Sequence, residues 1–295
     1  MSSTGKTSSS KTSIPGDTPG PPGLLWTPPP DILTRSRLGH YLGWLEEHRG
    51  LSFADYQQLW DWSVTDLDAF WTSIWEYFDI GPPVAPALAE RAMPGARWFP
   101  TVRLNYAAHM LREAGADDAV AVLARSQTRG PVDLTAGELR QQVARARAGL
   151  ARLGVGRGDR VVAYMPNIPE TLVAFLATAS LGAVWASCAP EFGTRSVLDR
   201  LTQIDPKVLL AVDGYRYGTK AIDRRAEVAA IRDGLPGLGT TVSVPYLDAD
   251  HEAAVLPGSV PWNELLAEEG PLDFDPVPFD HPLYVLYSSG TTGLP

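Results

Sequence analysis

The stretch 160–188 reads RVVAYMPNIPETLVAFLATASLGAVWASC and decides the fold of this chain. Five of its first six residues are hydrophobic, which predicts a buried strand. Pro169 suits the first turn of the helix that follows. Gly182 falls where that helix would end, and residues 183–188 form a second strand. The apolar part approaches membrane-spanning length, but polar residues interrupt it. A buried helix followed by a buried strand is therefore the better interpretation.

The same alternation continues outward from this stretch. Thr135 and Glu138 form a capping box that opens a helix with apolar residues at helical spacing until Gly154. The predicted strands are 120–123, 160–165, 183–188, 208–212, 241–244 and 283–287, and later helices are predicted at 196–204 and 221–231. Such alternation predicts an α/β fold, with a largely parallel sheet covered by helices on both faces. Ligands bind such sheets beyond the carboxyl ends of the strands.

Residues 24–115 differ in character from the sheet region. They hold seven of the nine tryptophans, and proline clusters at 28–30 and 81–83 break their short helices. We predict a mainly helical, Trp-rich cap here, because aromatic stripes at helical spacing are far more often packing than recognition. Residues 1–23 are rich in Ser, Thr, Gly and Pro, lack the apolar core of a signal peptide and are predicted to be a disordered tail. The sheet domain is expected at 116–295.

Composition bounds the classes of function. The chain has 295 residues, 44% of them hydrophobic and 20% charged, which is typical of a globular protein with a large core. The net charge of −9 without a basic stripe argues against nucleic acid as a partner. We expect no membrane partner either. A single cysteine, Cys188, excludes a disulfide framework and favours the cytoplasm.

The segment 287–295, YSSGTTGLP, directly follows the apolar run 283–286 and is suited to holding a polyphosphate. Glycines let the backbone approach a ligand closely, and converging N–H groups form an anion nest. It is not a Walker A loop. The predicted phosphate-binding residues are Ser288, Ser289, Gly290, Thr291, Thr292 and Gly293.

This segment resembles the phosphate loop of adenylate-forming enzymes, the acyl-CoA synthetase and luciferase superfamily. Their pattern is Ser/Thr-Ser/Thr-Gly-Ser/Thr-Thr-Gly-x-Pro-Lys, and every position matches here until the lysine, where the sequence stops at Pro295. The expectation is that the chain carries the N-terminal part of such an enzyme, with its AMP-binding domain at 116–295 truncated.

Further segments are similar to the N-terminal region of the acetoacetyl-CoA synthetase subfamily, and the similarity covers nearly everything from residue 24 onward. The segments that carry it are LWTP at 25–28, FW at 70–71, EYF at 76–78, WFP at 98–100, LNYA at 104–107 and MPNIPE at 165–170.

The resemblance implies ATP-dependent ligation of acetoacetate to CoA through an acetoacetyl-adenylate. The expected small molecules are acetoacetate, ATP with Mg²⁺, and CoA. The resemblance also implies that most Mg²⁺ ligands, the acyl pocket and the lysine that activates the carboxylate lie beyond Pro295. No catalytic residue and no metal ligand is therefore predicted within this chain.

A second candidate site concerns CoA. Related acetyl-CoA synthetases bind the 3′-phosphate with basic side chains just after a strand, and DGYRYGTK at 213–220 occupies the corresponding place. Arg216 is in register with the first arginine of these enzymes, and Lys220 is the candidate for the second, which would fall one position earlier at Thr219. The alternative is two solvated charges at a helix entrance. Pro190 and Glu191 align loosely with the segment that lines the CoA adenine.

Two other functions stay open at this point. An acetyl-CoA or other short-chain acyl-CoA synthetase belongs to the same class of enzyme. A catalytically inactive nucleotide-binding or interaction module belongs to a different class.

Overall fold

The structure, a computed structural model, describes residue 23, residues 26–248 and residues 256–288. The helices of this part are α1 (Ile32–Arg35), α2 (Arg37–Arg49), α3 (Tyr56–Thr65), α4 (Leu67–Tyr77), α5 (Tyr106–Arg112), α6 (Ala136–Arg152), α7 (Pro169–Ser180), α8 (Thr194–Leu201), α9 (Arg225–Asp233) and α10 (Trp262–Leu265). The strands are β1 (Leu88–Glu90), β2 (Arg97–Trp98), β3 (Val120–Ala124), β4 (Val132–Thr135), β5 (Arg160–Tyr164), β6 (Val184–Cys188), β7 (Val208–Val212), β8 (Gly214–Tyr217), β9 (Lys220–Asp223), β10 (Thr240–Val244) and β11 (Val260–Pro261).

Contacts divide the chain into two compact units, Met1–Thr65 and Asp66–Pro295. In the first unit, the Ser36 hydroxyl accepts the Gly39 N–H at the start of α2, and this helix ends at Gly50 in the left-handed conformation. The buried side chains of Tyr41 and Leu45 lie one turn apart on α2. The three-part division at residues 23 and 115 stays a prediction.

The second unit is built on a five-stranded parallel sheet in the order β11-β10-β7-β5-β6. Apolar side chains of β5, β6 and β7 alternate between two cores. One core contains Val161 and Ala163 of β5 with side chains of α5, α6, α7 and α10. The other contains Val162 and Tyr164 of β5 with side chains of α8 and α9. Because both faces are covered by helices, the predicted fold class is confirmed.

The predicted helix after the capping box is also confirmed in detail. The Thr135 hydroxyl accepts the Glu138 N–H, and the Glu138 carboxylate accepts the Thr135 N–H. At the other end of α6, Gly154 has a φ of 81°, and Val155 donates its N–H to the Leu150 carbonyl. This is a Schellman-type ending, so the glycine terminates the helix as expected.

Three predicted elements differ from the structure. The helix predicted at 221–231 was wrong at its start, because residues 220–223 form β9, which pairs antiparallel with β8, and α9 begins only at Arg225. The helix predicted at 196–204 is α8, which begins and ends two to three residues earlier. The strand predicted at 283–287 is reduced to one parallel bridge between Tyr284 and Trp185.

The bridge has a simple cause. Trp185, in the edge strand β6, donates its N–H to the Leu283 carbonyl at 3.1 Å and accepts the Val285 N–H at 2.7 Å. Those two bonds align the segment with β6, but no further ladder forms beside it within the described residues.

Within this part of the chain, no helix is both long enough and apolar enough to cross a membrane.

Candidate functional site at the carboxyl ends of the strands

The site lies where the direction of winding changes in the sheet. From β5 the chain passes through α7 to β6 on one side, and it then crosses back through α8 to β7 on the other side of β5. In doubly wound sheets, such a switch point leaves a crevice outside the carboxyl ends of the two strands that flank it. Here those strands are β5 and β7, which end at Tyr164 and Val212.

Asp213 organises the end of β7. Its side chain is fully buried, and its carboxylate accepts the backbone N–H groups of Tyr246 at 2.7 Å, Leu247 at 2.9 Å and Asp248 at 2.8 Å. Its main-chain carbonyl accepts the Arg224 N–H at 2.7 Å. A buried carboxylate needs such donors to offset its loss of hydration. Asp213 therefore ties the loop after β10 and the base of the β8–β9 hairpin to β7.

Tyr164 performs a similar task at the end of β5. Its buried hydroxyl lies 2.8 Å from the Pro190 carbonyl and 2.7 Å from the Phe192 carbonyl, and it donates to this pair. Burial raises the pKa of Tyr164 to about 12, because the phenolate would lose its hydration. The hydroxyl thus stays a donor, and it fixes the loop that contains Pro190 and Glu191. Pro190 is buried in that loop, whereas the Glu191 side chain is exposed.

The β8–β9 hairpin carries both basic candidates but does not bring them together. Arg216 is paired with Ala221, and Tyr217 is paired with Lys220 across a two-residue turn in which Gly218 has a φ of 59°. Residues directly opposite each other in an antiparallel pair share a face. Arg216 and Lys220 therefore occupy opposite faces of the hairpin, although both are exposed.

The loop after β3 holds the hairpin in place. The Thr128 hydroxyl accepts the Arg216 N–H at 3.0 Å, and the Gln127 side-chain oxygen accepts the Gly218 N–H at 3.0 Å. In the same loop, Arg129 makes a bidentate ion pair with Glu170 in the first turn of α7, with bonds of 2.7 and 2.5 Å. The loop after β3 thus contacts both the β8–β9 hairpin and α7, and these two elements border the crevice.

Arg224 directly follows the hairpin in the chain, and its side chain is mostly buried. It donates to Glu227 at 2.7 Å and lies within 3.4 Å of the Tyr215 hydroxyl, with its guanidinium carbon 5.6 Å from the Tyr215 ring centre. Burial acts to lower the pKa of Arg224, but the hydrogen bonds to Tyr215 and Glu227 outweigh it and raise the pKa. The arginine is therefore charged at all ordinary pH values.

The predicted phosphate loop begins at the end of the described chain. Ser288 is exposed and follows Tyr287, whose hydroxyl donates to the Arg200 carbonyl at 3.0 Å. Burial raises the pKa of the Tyr287 hydroxyl, which keeps it protonated as a donor. The other predicted phosphate-binding residues, Ser289, Gly290, Thr291, Thr292 and Gly293, lie outside the described residues.

Residues 111–295 match the family model described as "AMP-binding enzyme". The chain belongs to the AMP-binding enzyme family. Residues 56–110 match a second model, described as the acetyl-coenzyme A synthetase N-terminus. The first match covers the parallel sheet, the hairpin and the predicted phosphate loop, so the site just described lies entirely within the part of the chain that matches this family.

Among curated relatives of this chain, acetoacetyl-coenzyme A synthetase of Rhizobium meliloti (strain 1021) is 45% identical over 278 residues. Acetoacetyl-CoA synthetase of Danio rerio is 35% identical over 285 residues. Each alignment covers 92% of this chain and 42% of the relative. The solved structure of acetoacetyl-CoA synthetase from Streptomyces lividans has a TM-score of 0.87 and 48% identity, covering 93% of this chain and 42% of that one. The chain thus spans less than half the length of these relatives.

Several residues that build the site escape prediction from the sequence. Tyr164, Asp213 and Arg129 act through partners 26 to 41 positions away in the chain, which no local pattern reveals. One weak signal exists, since Tyr164 and Asp213 both stand where a predicted buried strand ends. A polar side chain at that position is well placed to hold a neighbouring loop.

Proposed function

We propose that this chain takes part in the ATP-dependent ligation of acetoacetate to CoA through an acetoacetyl-adenylate. The observation that carries the proposal is the 45–48% identity, over more than nine-tenths of the chain, to proteins named acetoacetyl-CoA synthetase. The nucleotide substrate is inferred from membership of the AMP-binding enzyme family. Acetoacetate and CoA are inferred from the names of the relatives. The chain's shorter span means that the whole reaction is proposed for the product of the complete open reading frame that encodes these residues.

The chemistry follows from the low reactivity of a carboxylate, which is a poor electrophile with a poor leaving group. In the first step a carboxylate oxygen of acetoacetate attacks the α-phosphorus of ATP, and the bond to pyrophosphate breaks. In the second step the CoA sulfur attacks the carbonyl carbon of the mixed anhydride. The thioester forms, AMP leaves with the carboxylate oxygen, and the thiol proton is released. The protein accelerates such steps mainly by positioning the reactants and neutralising charge.

For the first step, we propose that Ser288, Ser289, Gly290, Thr291, Thr292 and Gly293 bind the β- and γ-phosphates of ATP. Hydroxyl groups and backbone N–H groups are suitable donors for phosphate oxygens. The position of Ser288, next to a tyrosine that is tied to α8, supports this assignment. Mg²⁺ would enter the reaction with the nucleotide as part of the substrate MgATP, where it would supply positive charge to offset that of the phosphates.

For the second step, we propose that Arg216 binds the 3′-phosphate of CoA. A guanidinium can contact a phosphate through two parallel hydrogen bonds, whereas an ammonium acts as a point charge. The hairpin that carries Arg216 is anchored to the loop after β3 and, at its base, to Asp213 at the end of β7, which favours a defined position for its side chain. Lys220 faces the other side of the hairpin and is a weaker candidate. Pro190 and Glu191 are proposed to line the CoA adenine.

We propose the cytoplasm as the location, since the only cysteine, Cys188, is free and buried, and burial raises the pKa of its thiol. Such a thiol is unreactive and suits a reducing compartment.

The test measures ATP–pyrophosphate exchange by the product of the complete open reading frame with different carboxylic acids as substrates. We expect exchange with acetoacetate, and a higher kcat/KM for acetoacetate than for acetate in thioester formation, because kcat/KM measures discrimination between substrates. Equal or better use of acetate would replace the acetoacetyl assignment by an acetyl or other short-chain acyl-CoA synthetase. Binding of ATP without exchange for any short acid would favour an inactive nucleotide-binding module.

A further inference from the structure

Arg200 connects two segments that the proposed function assigns to different substrates. It lies near the end of α8, and its guanidinium carbon is 5.1 Å from the ring centre of Phe192 and 5.9 Å from that of Tyr287. Phe192 follows the loop proposed to line the CoA adenine. Tyr287 immediately precedes the predicted phosphate loop.

Further hydrogen bonds fix Arg200, both at its guanidinium and at its main-chain carbonyl. One guanidinium nitrogen, Nη1, donates to the Ser196 carbonyl at 2.6 Å and to the Ser196 hydroxyl at 2.5 Å. The main-chain carbonyl of Arg200 accepts the Tyr287 hydroxyl at 3.0 Å. The side chain is thus held on its own helix, while the tyrosine is held by a bond to the backbone and by the cation above its ring.

Phe192 is also held from a second direction. Its carbonyl accepts the Tyr164 hydroxyl from the end of β5, and its N–H donates to the Ala189 carbonyl at 3.1 Å. A continuous set of contacts therefore runs from β5 through Phe192 and Arg200 to Tyr287. Because α8 packs on the sheet through the buried residues Val197 and Leu201, this set is anchored to the core.

We propose that Arg200 is a positioning residue that fixes the start of the phosphate loop relative to the sheet. It would not touch a phosphate or the reacting atoms. It would instead hold Tyr287, so that Ser288, the first residue proposed to bind phosphate, has a defined position relative to the sheet. Preorganised donors of this kind cost little at the moment of reaction. The inference rests on the proposed phosphate-binding role of the loop.

The test compares Arg200→Met, Arg200→Lys and the control Arg195→Met in the product of the complete open reading frame. Arg195 is exposed on the same helix, so its variant removes an equal charge from α8. Two readouts are combined. Hydrogen–deuterium exchange follows the peptide 283–295, and the two half-reactions are measured separately, with MgATP varied in the first and acyl-adenylate supplied in the second.

We expect Arg200→Met to speed amide exchange at Val285, whose N–H is bonded to the Trp185 carbonyl, and to raise KM for MgATP about three- to tenfold, the range of a lost cation–π contact. Thioester formation from supplied acyl-adenylate should change less than twofold, because the β- and γ-phosphates have already left. Arg200→Lys should recover part of the loss, since it keeps a cation near both rings. Arg195→Met should match the wild type in every measurement.

Two results would overturn the inference. One is that Arg200→Met shows the same hydrogen–deuterium exchange as the wild type, or the same KM for MgATP. The other is an equal fall of both half-reactions together with a lower unfolding midpoint, which would mark a purely structural residue. If the wild type itself adenylates no carboxylic acid, the proposed function fails. The hydrogen–deuterium exchange data alone then decide whether Arg200 fixes the segment around Tyr287.

Discussion

The hydroxyl of Tyr164 donates to the main-chain carbonyl of Phe192 across 2.7 Å, so the last residue of β5 holds the loop after the neighbouring strand β6. The carbonyl of Pro190 lies at 2.8 Å from the same hydroxyl. One buried side chain thus sets the position of a loop proposed to contact CoA and of the ring that Arg200 covers.

Replacing Tyr164 by phenylalanine should therefore destabilise the protein without creating a cavity. The ring is kept, but the buried Pro190 carbonyl and the part-buried Phe192 carbonyl lose the donor that they share, a change that costs about 1–3 kcal/mol in the free energy of unfolding. Urea unfolding at neutral pH measures the difference. Tyr217→Phe is the matched control, because Tyr217 is 72% exposed and its variant should stay within about 0.5 kcal/mol of the wild type. Equal stability of the Tyr164 variant and the wild type would contradict the assigned bond.

The raised pKa of Tyr164 predicts a specific loss of stability in alkaline solution. Its pKa is about 12 in the folded protein, against about 10 in an unfolded chain. The folded state therefore keeps this proton longer than the unfolded state. The stabilisation is fully present below pH 10 and declines as pH rises from 10 towards 12, and it amounts to about 2–3 kcal/mol. The difference in unfolding free energy between wild type and Tyr164→Phe should shrink over this interval. A constant difference across it would show that the hydroxyl does not titrate as described.

The opposite orientation of Arg216 and Lys220 predicts unequal effects of removing them. Arg216→Ala should raise KM for CoA about tenfold or more, as expected for the loss of a charge-assisted phosphate contact of about 1.5–3 kcal/mol. Lys220→Ala should change KM for CoA less than threefold. Adenylation should be unaffected in both variants, because CoA is absent from that step. Dephospho-CoA is the control substrate, and it should show little difference between wild type and Arg216→Ala. Normal use of CoA by that variant would leave Arg216 as a solvated charge on the hairpin.

Elements with strong local signals were predictable from the sequence. The capping box at Thr135 and Glu138 and the glycine at the end of α6 are local hydrogen-bonding patterns, and the structure contains both. The central strand β7, VLLAV, is a continuous apolar run, since it is buried on both faces. Neither signal depends on distant parts of the chain.

The β8–β9 hairpin shows where local reasoning ends. The sequence pattern favours a helix at residues 221–223 because they lead without a break into α9. Their strand conformation depends on pairing with β8 and on contacts of β8 and its turn with Gln127 and Thr128, about 90 positions earlier. Gly218 was the available signal, since a glycine in a two-residue connection is typical of a hairpin turn. The same limit explains why the sequence did not predict the contacts of Tyr164, Asp213 and Arg200, whose partners come together only in the folded chain.

The predicted phosphate loop is tested most directly by Thr292→Val, which keeps the shape of the side chain and deletes its hydroxyl. Any phosphate oxygen served by that hydroxyl would lose a preorganised donor, and such a loss typically costs about 10²–10³-fold in rate. We expect the lower end of this range, because Ser289, Thr291 and backbone N–H groups supply further donors. The loss should fall on adenylation, measured by ATP–pyrophosphate exchange. Thioester formation from supplied acyl-adenylate is the internal control and should change little.

Gly290→Ala should be at least as damaging to adenylation as Thr292→Val. A methyl group at this position would either block close approach of the backbone to the phosphates or strain a positive φ angle. Exchange rates with saturating acetoacetate and varied MgATP would separate weaker nucleotide binding from a slower chemical step. Full adenylation activity in both variants would mean that the segment after Tyr287 does not bind phosphate. The proposed roles of Ser288 to Gly293 would then have to be abandoned, because every one of them depends on phosphate contact in the first half-reaction.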